Sequence, residues 1–154
     1  MSAPRISPRE IAATLQADAI DWLVTVPASG LDDLYAHFEA RSRCLYATRE
    51  EEAIAIATGM ALGGGHPVVV MQQSGVGNCL NAVFTLSDAY AIQFSILVFF
   101  RSLRDPNPVQ QTSSERTVKV LTALGMDWID LTDSSAGIRL KDSLARGARW
   151  IALE

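Results

Sequence analysis

The chain has 154 residues, of which 49% are hydrophobic and 19% charged, and its net charge is −4. That length fits one domain with a substantial core but is short for a self-contained cofactor enzyme, and the apolar-rich, charge-poor balance suggests surface buried against other chains. The acidic balance and the absence of any Lys/Arg cluster argue against nucleic acid, and the longest apolar run, residues 95–100, is far too short to span a bilayer.

Ser7-Pro8-Arg9-Glu10 opens the first helix as a capping box: Ser7 at the N-cap, Pro8 at the first helical position and Glu10 at the third. Ile11, Leu15 and Ile20 continue its apolar stripe. Residues 22–26 read as a β-branched strand ended by Pro27, and Ser29 or Gly30 starts a second helix with Leu31, Leu34, Tyr35 and Phe38 at helical spacing. A short strand, 44–47, precedes a helix over about 49–62 that Gly63-Gly64-Gly65 stops. A third strand, 67–71, runs into a tight polar turn, Gln72-Gln73-Ser74-Gly75-Val76-Gly77-Asn78, with a helix over 78–90 after it. Residues 94–100 are continuously apolar, as in a strand buried on both faces. The loop 101–111 is the longest irregular connection, a place where functional loops concentrate. A helix from Thr112 or Ser113 to Leu124, a strand over 127–131, a helix over 134–146 and a strand over 149–153 complete the chain. This alternation predicts an α/β fold: a doubly wound, mostly parallel sheet of about six strands with helices on both faces.

Ligands of such sheets bind outside the carboxyl ends of the strands. Two consecutive βα junctions put the cluster Glu50-Glu51-Glu52 and the glycine-containing turn at that edge. An acidic first turn is also ordinary compensation of the helix dipole, which suits Glu51 and Glu52; the second junction singles out Glu50. Gly75-Val76-Gly77 lacks the third glycine of a dinucleotide fingerprint, Leu80 standing at that spacing, and no phosphate-loop lysine follows. Asn78 either contacts a ligand or caps its helix, and Ser74 either contacts a ligand or closes the turn. Residues 62–70 and 128–131 read as core. Cys44 and Cys79 have no metal-ligand spacing and suit a reducing compartment, Cys79 reading as a small buried residue. MSAPRISPRE has no apolar signal core, so a cytoplasmic protein is expected.

The segment TREEEAIAIATG, followed by VVVMQQSGVGN, resembles the pyrimidine-binding domain of thiamine diphosphate-dependent enzymes. It is most similar to the α subunits of sulfopyruvate decarboxylase and to phosphonopyruvate decarboxylases, and VPASGL at 26–31 and QTSSERTVKVLTALGMDW extend the similarity to nearly the whole chain. The resemblance implies that Glu50 is catalytic and hydrogen-bonds a ring nitrogen of the cofactor's aminopyrimidine. It also implies that the turn packs beside that ring, Gly75 and Gly77 allowing close backbone approach and Gln73, Ser74 and Asn78 offering polar contacts. Pro27 would border the cofactor on the same edge. Ser29 either touches a 2-oxo acid substrate or caps the second helix. Arg101 and Gln111 would face a terminal anion of the substrate, which suits a planar guanidinium, though loop arginines are also commonly just solvated. Ala28 stands where relatives often carry a polar residue.

Enzymes of this family hold the cofactor's diphosphate through a divalent metal, with a GDG motif and a downstream Asn on a second domain. This chain contains no GDG. The resemblance therefore implies half of an active site, with thiamine diphosphate shared with a β subunit that also binds Mg2+, in an α2β2 or larger complex. The expected activity is decarboxylation of a three-carbon 2-oxo acid with a terminal sulfonate or phosphonate. A carboligase subunit, or a non-catalytic pyrimidine-type assembly domain, are the alternatives.

Overall fold

A computed structural model describes residues 6–101 and 106–154. Six strands form one all-parallel sheet: β1 (Trp22–Thr25), β2 (Cys44–Tyr46), β3 (Pro67–Gln72), β4 (Ser95–Phe99), β5 (Asp127–Ile129) and β6 (Trp150–Leu153), in the order β2-β1-β3-β4-β6-β5. The helices are α1 (Pro8–Ala17), α2 (Asp32–Glu39), α3 (Glu50–Leu62), α4 (Val76–Ala82), α5 (Pro108–Ala123) and α6 (Ala136–Ala145).

The expected α/β architecture is what the chain adopts, and alternation along the strands explains it. Leu23, Val68, Val70, Leu97 and Ile151 point to one face, where α1, α2 and α6 pack with Ile11, Leu15, Leu34, Phe38 and Leu140. Val24, Val69, Met71, Ile96 and Val98 point to the other, where α3, α4 and α5 add Ala53, Ile54, Ala57, Cys79 and Leu121. Both faces are covered, so β3 and β4 read as unbroken apolar runs. Within the expected core segments 67–70 are buried, but Leu62, 70% exposed at the end of α3, departs, as do Gly63, Gly64 and His66 in the turn after it and Asp130.

Several boundaries move for identifiable reasons. The capping box at Ser7 forms as expected. By contrast, α2 begins at Asp32 after an N-cap Leu31 with no side-chain cap bond, so Ser29 does not cap it. The preceding loop turns through Gly30 at φ +85, a left-handed conformation that favours glycine. Gln72 to Asn78 is not a loop: a 3-10 turn, Gln73–Gly75, leads directly into α4, and Asn78 lies inside that helix rather than capping it. A π-helical turn, Val83–Ser87, and a 3-10 turn, Asp88–Tyr90, follow in place of the regular helix expected there. α5 starts at Pro108, with the Asn107 side chain accepting from the Val109 N–H at 3.0 Å, so Gln110 and Gln111 are helical rather than loop residues.

At the edge of the sheet where β4 and β6 begin, Arg149 fastens the return into β4. Its guanidinium donates to the carbonyls of Phe94 and Ile92, pairs with Asp88 at 3.2 Å and lies 4.5 Å from the Phe94 ring centroid. Among the described residues, no helix is long and apolar enough to cross a membrane.

Candidate active site

The strand order reverses between β1, which connects through α2 on one face, and β3, which connects through α4 on the other. Such a switch point opens a crevice outside the strand ends. Most of the candidate residues named from the sequence fall on the connections around it.

The three acidic residues at the start of α3 divide into separate tasks. Glu52 accepts from the Thr48 backbone N–H at 2.7 Å, closing the end of the helix, and Glu51 lies 3.7 Å from the Arg49 guanidinium. Glu50 reaches across to the next junction. Its half-buried side chain lies on the backbone of Gly75, where a Cβ would stand 2.5 Å from Glu50 Cγ and 2.6 Å from Cδ. A side chain at 75 would have to displace Glu50. From the next turn, Asn78 Nδ2 donates to Glu50 Oε2 at 3.0 Å. Glu50, Gly75 and Asn78 thus form one unit, joining two βα junctions through a carboxylate and an amide.

Gly77 differs from Gly75: it is exposed, and a Cβ built on it meets no atom within 4 Å. Ser74 is exposed in the 3-10 turn. Cys79 is buried beneath this unit, its Sγ 3.8 Å from Met71 Sδ. Burial, with the Glu50 and Glu51 carboxylates adding to it, pushes the thiol up to about 12. It therefore stays protonated and inert at neutral pH.

A second group lies on the other side of the β3 terminus. A cavity of about 530 Å³ is lined by Ser29, Gly30, Gln72, Phe99 and Arg101, with Ile11 and Leu131 among its apolar walls. The loop after β1 is pinned beside it by Tyr35, whose hydroxyl accepts from the Ala28 N–H at 2.9 Å. Ser29 and Arg101, separate in sequence, meet in this cavity. Pro27 is exposed and does not line it. Gln111 does not line it either, because its amide donates to Glu115 along the outer surface of α5 at 3.2 Å. Arg104 lies outside the described residues.

Gln73 lies between the two groups and is fully buried. Its amide nitrogen donates to Gln110 Oε1 at 2.9 Å, and its amide oxygen accepts from the Arg101 backbone N–H at 3.2 Å. Both ends are spent inside the protein, so it is placed to position its neighbours rather than to meet a ligand. Gln72, Gln110 and Tyr35 escaped the list of candidates drawn from the sequence. A pair of amides closing an otherwise apolar strand, VVVMQQ, was the available signal for Gln72.

Comparison with known proteins decides the family. Residues 9–105 match the family described as "Thiamine pyrophosphate enzyme, N-terminal TPP binding domain". The chain belongs to this family. Among relatives, it is 32% identical over 105 residues to the sulfopyruvate decarboxylase subunit alpha of Methanococcus maripaludis, covering 66% of this chain and 63% of that one. The corresponding subunit of Methanocaldococcus jannaschii is 33% identical over 99 residues, covering 62% and 59%. A phosphonopyruvate decarboxylase of Streptomyces hygroscopicus is 27% identical over 147 residues, covering 93% of this chain and 37% of its own. The chain therefore spans about three fifths of the length of the two α subunits. The matched segment contains the Glu50 unit and, of the cavity lining, Ser29, Gln72 and Arg101, whereas Leu131 lies outside it.

Proposed function

We propose that this chain is the pyrimidine-binding α subunit of a thiamine diphosphate-dependent decarboxylase of a small anionic 2-oxo acid, of the sulfopyruvate or phosphonopyruvate type. What carries it is the Glu50 carboxylate, seated on Gly75 and held by Asn78 at the switch point of the sheet. The residues fit the cofactor: the carboxylate is fixed yet only half buried, and beside Asn78 the exposed Gly77 opens onto space rather than protein. Bound there, thiamine diphosphate supplies the electron sink that decarboxylation needs. Glu50 would hydrogen-bond a ring nitrogen of the cofactor through its carboxyl group, and Asn78 keeps that group from swinging away. Gly77 and the exposed Ser74 let the ring approach the backbone, Gly75 instead seats the Glu50 side chain, and Pro27 borders the same crevice. Ser29 and Arg101 orient the acid in their cavity, Arg101 meeting its terminal anion.

A β subunit completes the site, carrying the diphosphate and Mg2+. The outer ridge of α3 supports a partner: Ala55, Gly59 and Leu62 follow one another at helical spacing and are all exposed, leaving a small, apolar stripe that runs along the helix away from Glu50. An α2β2 or larger assembly in the cytoplasm follows from this reading.

The test is to copurify the chain with its partner and assay the complex with thiamine diphosphate and Mg2+ against sulfopyruvate, phosphonopyruvate and pyruvate. Carbon dioxide release with the matching aldehyde is expected, and Glu50→Gln should lower turnover by about 10²–10⁴-fold while the complex still elutes intact. Undiminished turnover in that variant overturns the assignment. Product formed only when an acceptor aldehyde is added makes the complex a carboligase instead.

A further inference from the structure

α5 packs against the sheet with a face that begins polar. Gln110, Ser114 and Thr117 follow at i, i+4 and i+7, and only then does Leu121 continue the row as an apolar residue. Ser114 and Thr117 are buried and Gln110 is half buried. A buried polar stripe costs stability unless its groups are paired, and each of these is.

The partners converge on two places. Gln110 Oε1 accepts from both Gln73 Nε2, at 2.9 Å, and Gln72 Nε2, at 3.2 Å. Thr117 donates its hydroxyl to the Gln73 carbonyl at 3.2 Å. Gln73 in turn holds the Arg101 N–H at 3.2 Å, and the Ser114 hydroxyl reaches the Arg101 carbonyl at 3.4 Å. Both main-chain groups of Arg101 are thus tied to one network, which is anchored on a helix and on the end of β3. Gln72 and Arg101 line the same cavity, and Gly75, three residues after Gln72, carries the Glu50 contact.

We infer that Gln73, Gln110 and Ser114 form a clamp that sets the Arg101 main chain against the cavity wall and thereby governs discrimination between 2-oxo acids with and without a terminal anion. This rests on the reading above in which Arg101 meets that anion. The three are positioning residues: they touch neither substrate nor cofactor and act through where they hold Arg101. A guanidinium fixed at its own backbone retains its direction at less entropic cost than one on a free loop, and a displacement of about 1 Å can cost as much as 10²-fold in rate.

The experiment compares Gln110→Met, Ser114→Ala and Arg101→Gln in the complex loaded with thiamine diphosphate and Mg2+, measuring kcat and KM for sulfopyruvate and for pyruvate. Hydrogen exchange of the Arg101 amide is followed in the full chain. Gln110→Met should lower the ratio of kcat/KM between the two acids by about tenfold, chiefly through KM for the sulfonate, the size expected for losing a well-placed hydrogen bond to a charged group. The Arg101 amide should exchange at least about tenfold faster. Ser114→Ala, a smaller change, should shift both in the same direction and serves if Gln110→Met fails to fold. If Arg101→Gln lowers the ratio while neither clamp variant does, the clamp has no such role and the anion reading stands. If Arg101→Gln leaves the ratio unchanged, the anion contact and the clamp fall together.

Discussion

Gly75 and Gly77 stand two positions apart and lack side chains for opposite reasons. At 75 the space is already taken by Glu50; at 77 it is open, with no atom within 4 Å of a built Cβ. Gly75→Ala should therefore cost about 1–3 kcal/mol of stability, the usual penalty of overpacking, or else push the Glu50 side chain off its seat and lower turnover of the complex. Gly77→Ala should stabilise the isolated chain by up to about 1 kcal/mol, as alanine does in a helix, while weakening association with cofactor and partner. Denaturant unfolding of both variants, beside cofactor titration of the complex, checks the pair. Equal effects on stability would contradict the crowding at Gly75. Glu50 could be picked out from the sequence because an acidic residue at one junction and glycines at the next have few reasons to coincide. Gln73 could not be placed correctly, because nothing in MQQSGVGN tells which of two adjacent amides turns inward.

Among the secondary-structure elements, local chemistry read correctly where it was self-contained. At α1 the Ser7 hydroxyl accepts from the Glu10 N–H at 3.3 Å, and the Ser7 N–H donates back to the Glu10 carboxylate at 2.7 Å. Those bonds, the backbone one first and the hydroxyl one second, hold the Glu10 carboxyl below its ordinary 4.5. A carboxyl depressed in the folded state contributes stability at pH above its unfolded value and loses it as pH falls through the folded one. α1 should accordingly fray as the solution is acidified below about 4.5, and Glu10→Gln should remove that part of the pH dependence; hydrogen exchange of the α1 amides across pH 3–6 measures it. The starts of α4 and α5 were misjudged for a different reason. The turn before α4, QSG, and the opening of α5, PVQQTSS, carry Ser, Gly, Thr and Pro that favour turns and caps, and the rest of the molecule supplies partners for them: Glu50 over Gly75, and Gln73 and Arg101 along the stripe on α5. Asn107 followed by Pro108 was the local sign of the α5 start, an N-cap with proline at the first position.

Taken together, the fold leaves a stripe of small and apolar residues exposed on a helix. The stripe Ala55, Gly59 and Leu62 runs along the exposed side of α3, whose other side packs into the core through Ala53, Ile54 and Ala57. Ala55→Arg should abolish coelution with the partner and leave the melting temperature of the isolated chain within about 2 °C, since surface substitutions usually stay within about 0.5 kcal/mol. Size-exclusion chromatography and thermal melting decide it, and retained coelution would move the contact elsewhere. Alternating strands and helices made the doubly wound parallel architecture readable from the outset, since each crossover needs a helix to return the chain in the same direction.

β2 and β5, the outermost strands, have three residues each. Rows that brief present too few unpaired amides and carbonyls to template a foreign segment, so the sheet is protected from recruiting further strands sideways. Growth by lateral strand addition is thereby disfavoured at both margins.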